Sequence, residues 1–148
     1  MSARPASAET AAREAALQMI YALDLGGQNA AQVEHWYLEA HPLAPVAALR
    51  ARTLVEAVVE RQTELEALIG RHAIGWRLER MNVVDRSLLK LAGAEMLLQP
   101  ESGRRAIIAA AIKLARKFSQ LEAVRFVQGV LEAMAQELAP EAEEARHG

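Results

Sequence analysis

Apolar residues along this chain recur three and four positions apart, the spacing that lines one face of a helix. Ala16, Met19, Ile20 and Leu23 predict a first helix over about Thr10–Leu25. Thr10 is its expected N-cap, and Gly26-Gly27 is its stop. A short helix near Ala30–Ala40 is closed by Pro42 and Pro45. Leu54, Val58, Leu65 and Leu68/Ile69 predict one long helix over about Val46–Gly70. His72–Met81 reads as a connector or short helix holding Trp76. Asn82, with Asp85 three residues on, makes an imperfect capping box for a helix striped by Val84, Leu88 and Leu91. Gln99–Gly103 is a turn. Two helices follow, over about Arg104–Ser119 and Leu121–Leu138. The second carries Val124, Val127, Leu131, Met134 and Leu138, with Pro140 beyond it.

Composition agrees with helices throughout. Hydrophobic residues make up 52% of the 148, mostly Ala and Leu, with 4% aromatic. Ala and Leu lead the helix-propensity ranking, so the fold class is all-α and a βαβ nucleotide fold is disfavoured. The length suits one helical domain over 10–140, with subdomains over 10–70 and 71–140. Residues 1–9 are expected to be a flexible N-terminus, and 141–148 an acidic tail. The lack of cysteine excludes a disulfide framework, a thiolate zinc site and a cysteine nucleophile. With no apolar run of membrane-spanning length and no signal-like N-terminus, the expected location is the cytoplasm.

Charge is unevenly placed. Residues 1–70 carry five arginines against nine acids, net −4. Residues 71–131 carry eight arginines and three lysines against five acids, net +6, and 132–148 return to −4. On the helix over 104–119, Arg105, Lys113, Arg116 and Lys117 follow i, i+8 and i+11/12, one face without an acid. A solvated face ordinarily mixes signs to gain i,i+4 pairs. Like charges this dense suit a phosphate backbone, whose binding releases counterions; a merely solvated face is the plainer alternative. Phe126, beside Arg125, falls off the core line of its helix. It either stacks on an unpaired base or packs between helices. Gly129 interrupts the same helix and is expected to permit close helix approach. Glu95 stands four residues after Leu91 on a mostly apolar face, as a partly buried carboxylate held by backbone or an arginine would.

Catalytic patterns are missing. The chain has no HExxH, no G-x-S-x-G, no P-loop and no G-x-G-x-x-G. Its histidines, His35, His41, His72 and His147, are not expected to pair with a carboxylate one helical turn away or to bind a metal. No enzyme, cofactor or metal site is predicted.

Three segments together resemble the bacterial NusB transcription antitermination family. Ala12-Arg13-Glu14-Ala15-Ala16-Leu17-Gln18-Met19-Ile20-Tyr21 is similar to its A-R-E-x-A-x-Q-x-L-Y pattern. Val84-Asp85-Arg86-Ser87-Leu88-Leu89-Lys90-Leu91-Ala92 is similar to V-D-R-x-x-L-R-x-A, continuing to Glu95-Met96. Ala111–Ser119 resembles A-x-x-L-A-K-x-F-S, and Arg125-Phe126-Val127-Gln128-Gly129-Val130-Leu131 resembles K-F-V-N-G-x-L. The match spans about 11–135 in the family's order.

This resemblance implies about seven helices in two small three-helix bundles set perpendicular to one another. It implies pairing with the ribosomal protein NusE, binding of single-stranded boxA-type RNA in ribosomal RNA leader transcripts, and a place in the RNA polymerase antitermination complex. It would put Arg13, Gln18, Lys90, Arg116, Arg125 and Phe126 at or near the RNA. Tyr21, Glu79 and Asp85 would lie on the NusE side, where acids suit a basic ribosomal protein. The family is usually arginine-rich before A-R-E; here residues 1–12 offer Arg4 against Glu9. Ala110 replaces a family acid and Gln128 a family asparagine. Fewer phosphate contacts lower the expected RNA affinity. A protein-interaction adaptor with little RNA binding is therefore the second reading, and a homodimer is left open.

Overall fold

The computed structural model describes residues 7–75, 80–98 and 103–138. The described residues form seven α-helices: α1 (Ala8–Leu25), α2 (Ala30–Ala40), α3 (Pro45–Glu60), α4 (Gln62–His72), α5 (Val83–Leu98), α6 (Arg104–Phe118) and α7 (Leu121–Leu138). Trp76, Glu79, the turn over 99–102 and the tail over 141–148 lie outside the described residues. Among the described residues no helix is long and apolar enough to cross a membrane.

The caps explain most boundaries. Helix α1 starts two residues earlier than expected, because Ser7 and not Thr10 is the N-cap: the Ser7 hydroxyl accepts from the Thr10 amide at 3.1 Å. It ends at Gly26, whose φ of 87° suits a residue without Cβ. Asn29 and Gln32 exchange side-chain bonds to each other's amides, a full capping box at the head of α2. Pro45 takes the first position of α3, where its missing N–H costs nothing. Asn82 caps α5 through the Val84 amide at 2.8 Å. Asp85 does not complete the expected box; its carboxylate accepts from the Ser119 hydroxyl instead.

The long helix expected over 46–70 is broken. Arg61, at φ −107° and ψ 24°, bends the chain between α3 and α4. No glycine or proline marks the bend, so nothing local predicts it. Packing supplies the reason. Leu54, Val55 and Val58 are buried where α3 meets α1 and α5, while Leu65, Leu68 and Ile69 are buried where α4 meets α5 and α7. One straight helix cannot serve both surfaces. A fork of bonds from Arg52 to Glu34 ties α3 to α2. At the far end of α4, Arg71 and His72 both grip Glu137 of α7 at 2.6 and 2.8 Å. Arg71 above all holds that carboxyl down at a pKa of about 2.

Helix α5 runs through the middle, touching α1, α3, α4, α6 and α7. The stripe of Val84, Leu88 and Leu91 understates this: every residue from Ser87 to Met96 is buried. The close approach expected at Gly129 is found elsewhere. A Cβ at Gly129 would meet nothing within 4 Å, whereas one at Gly93 would lie 2.9 Å from Leu65 Cδ2 and 3.0 Å from Met134 Cε. The two glycines should therefore respond oppositely. Gly129→Ala is expected to stabilise by about 0.5–1 kcal/mol through helix propensity. Gly93→Val should destabilise by ~2 kcal/mol through overpacking. Urea unfolding of both variants checks this; equal signs would refute it.

Candidate nucleic-acid interface

Helix α6 sorts its residues cleanly. Ile107, Ala111, Ile112, Leu114 and Ala115 are buried, and Ile108 and Phe118 pack against the core from its edge. Arg105, Lys113, Arg116 and Lys117 are exposed on the other side. Eleven residues separate Arg105 from Arg116, roughly 16 Å along the axis at 1.5 Å per residue. Among the described residues, no carboxylate lies within 4 Å of Arg105, Lys113 or Arg116. Lys117 differs, with its ammonium 2.7 Å from Glu14 of α1 and 5.3 Å from the Phe118 ring centre. Uncompensated like charges on one exposed helix face favour an anionic ligand.

Helix α7 turns back beside α6 after two residues, and Arg104 donates to the Leu138 carbonyl at 3.3 Å, so the two helices run antiparallel. Arg125 is exposed near the end of this hairpin that carries Arg116. Phe126 is half-buried against the core, and Val130 is buried. Packing between helices therefore accounts for much of the Phe126 ring.

Other expected contacts are placed elsewhere. Arg13 is turned inward: its Nε donates at 2.8 Å to Glu95, a carboxylate 1% exposed. Arg50 reaches the same oxygen at 3.4 Å and Glu9 at 2.9 Å. Of the two partners expected for Glu95, backbone or arginine, the structure supplies arginine twice, from 82 and 45 residues away. Lys90, expected at or near the RNA, lies in the core. It is 4% exposed, with Glu66 at 3.5 Å and Asp24 at 3.9 Å. The reason is the central place of α5, which leaves that helix no open face.

Beside α1 lies an apolar groove of about 410 Å³, lined by Leu17, Gln18, Tyr21, Leu25, Trp36 and Phe118 among others. Gln18 belongs to this groove, which Phe118, next to Lys117, also lines. Tyr21 and Trp36 are 38% and 56% exposed, two aromatics displayed along one groove. Tyr37 stacks on His41 with ring centres 4.6 Å apart. Burial, and then the charge of Glu14, raise the Tyr37 hydroxyl above its ordinary pKa. Asp85, expected at a protein partner, is buried and engaged by Ser119.

Sequence reasoning missed Glu14, Arg50 and Trp36. Glu14 lay in plain view within A-R-E, but its reach to Lys117 crosses 103 residues. Trp36 carried no local sign of exposure. One expectation about histidine fails: His35 does face Glu39 one turn on, at 3.3 Å, as an exposed pair. Among the described residues no group of three or more His, Asp or Glu is placed to hold a metal.

Comparison with known proteins agrees with this arrangement. The model of the NusB family matches residues 10–136. The transcription antitermination protein NusB of Koribacter versatilis (strain Ellin345) is 39% identical over 127 residues, covering 85% of this chain and 87% of that protein. The structure of T. maritima NusB superposes with a TM-score of 0.83 at 25% identity, covering 98% of this chain and 99% of the other. A second structure, of antitermination factors NusB and NusE in complex with dsRNA, matches with a TM-score of 0.82 at 25% identity, over 88% and 97% of the two chains. By sequence and by fold, the chain belongs to the NusB family.

Proposed function

We propose that this chain is a non-enzymatic transcription antitermination factor of the cytoplasm. It pairs with NusE and binds single-stranded boxA-type RNA of ribosomal RNA leader transcripts, within the RNA polymerase antitermination complex. The observation that carries the RNA half is the exposed row of Arg105, Lys113 and Arg116 on α6, without an acidic partner among the described residues, and with Arg125 near one end. Each cation can take a phosphate, and the half-buried Phe126 stands beside Arg125 as the candidate for stacking on a base. Arg13 and Lys90 are left out of this contact set, because each already holds buried carboxylates or is itself buried. The protein half rests on the groove around Tyr21 and Trp36, whose exposed aromatics suit the centre of a protein interface.

The test is fluorescence anisotropy of a labelled boxA-type RNA at two salt concentrations, with and without NusE. The expected result is salt-sensitive binding strengthened by NusE. NusE binding without RNA affinity at low salt would make the chain a protein adaptor, and absence of both would refute the whole reading.

A further inference from the structure

We propose that Glu14 sets the RNA affinity of the α6 face by occupying Lys117, an inference that rests on the nucleic-acid reading above. Among the described residues, Glu14 is the one acid that reaches the row of four cations, with its Oε1 2.7 Å from Lys117 Nζ. The neighbouring cations Arg105, Lys113 and Arg116 have no such partner there. Glu14 stands on α1, so the pair crosses from one helix to another at the place where the groove meets the basic row; Phe118, next to Lys117, lines that groove. The side chains of Glu14 and Lys117 are 29% and 58% exposed, open enough for a phosphate to compete for the ammonium.

Two costs follow for a polyanion on this face. It must displace the carboxylate to gain Lys117, and the displaced charge stays nearby and repels it. Lys117 therefore offers a phosphate little while it neutralises Glu14. Neutralising Glu14 returns a full cation to the row and adds about one counterion release, near 0.7 in salt slope for a single strand.

A double-mutant cycle measures this directly. Labelled single-stranded boxA-type RNA is titrated with wild-type chain, Glu14→Gln, Lys117→Gln and the double variant, at 50 and 200 mM salt. At the lower salt Glu14→Gln is expected to tighten binding about three- to ten-fold. Lys117→Gln alone leaves Glu14 uncompensated and should weaken binding, and in the Glu14→Gln background it should abolish the gain. Thermal melts monitored by circular dichroism establish that all four proteins are folded. If Glu14→Gln leaves affinity unchanged while charge reversal at Lys113 and Arg116 still weakens it, the role of Glu14 is refuted and the RNA reading stands. If no variant binds RNA at either salt, the RNA reading fails and this inference fails with it.

Discussion

Replacing Arg13 with alanine is expected to destabilise the folded chain by about 3 kcal/mol, the lower end of the cost of breaking a buried ion pair. Glu95 is 1% exposed and takes its 2.8 Å bond from Arg13. Removing the guanidinium leaves a carboxylate in the core with Arg50 at 3.4 Å as its remaining cation. That second arginine keeps the loss below the upper end of the range. It is itself shared with Glu9 at 2.9 Å and cannot fully move over. Equilibrium urea unfolding is the measurement, read as a lower midpoint with an unchanged slope. A variant as stable as the wild type but weaker on RNA would return Arg13 to the nucleic-acid surface, where the family resemblance puts it.

Reversing charge at Lys113 and Arg116 together should leave stability within about 0.5 kcal/mol, as exposed substitutions do. The same change should weaken RNA binding on the order of 50-fold at 50 mM salt. Two lost phosphate contacts flatten the salt slope by about 1.4 for a single strand. Over the roughly 20-fold range from 50 mM to 1 M salt, that slope corresponds to this loss. Repulsion from the new carboxylates adds to it. The contrast is diagnostic, because Arg13→Ala is expected to act on folding and this pair on binding. Unchanged affinity in the charge-reversed protein would mean that the cationic face is simply solvated, the plainer alternative that charge spacing left open.

Much of the molecule was legible from spacing. Helices α2 and α7 span the residues expected of them, α2 before Pro42 and α7 along its apolar stripe. The two sides of α6 separate as its periodicity requires, because a period of 3.6 residues puts Ile107, Ala111 and Leu114 opposite Lys113 and Arg116. Glu95 was readable as a partly buried carboxylate in need of a backbone or arginine partner. Which arginine was not, since Arg13 and Arg50 sit 82 and 45 residues away with no mark of this role.

The failures share one cause. Periodicity reports that a helix has an apolar side, not how many neighbours surround it. Helix α5 shows a stripe in sequence, yet five other helices enclose it, so Lys90 is buried among acids from α1 and α4 rather than displayed. The bend at Arg61 and the tight fit at Gly93 arise the same way, from surfaces that meet only after folding. The site divides along the same line. Helical spacing alone determined a cationic face on α6. Tertiary packing decided which cations remain free, because a charge can be neutralised by an acid brought near in space, as Glu14 is to Lys117 and Glu95 to Arg13.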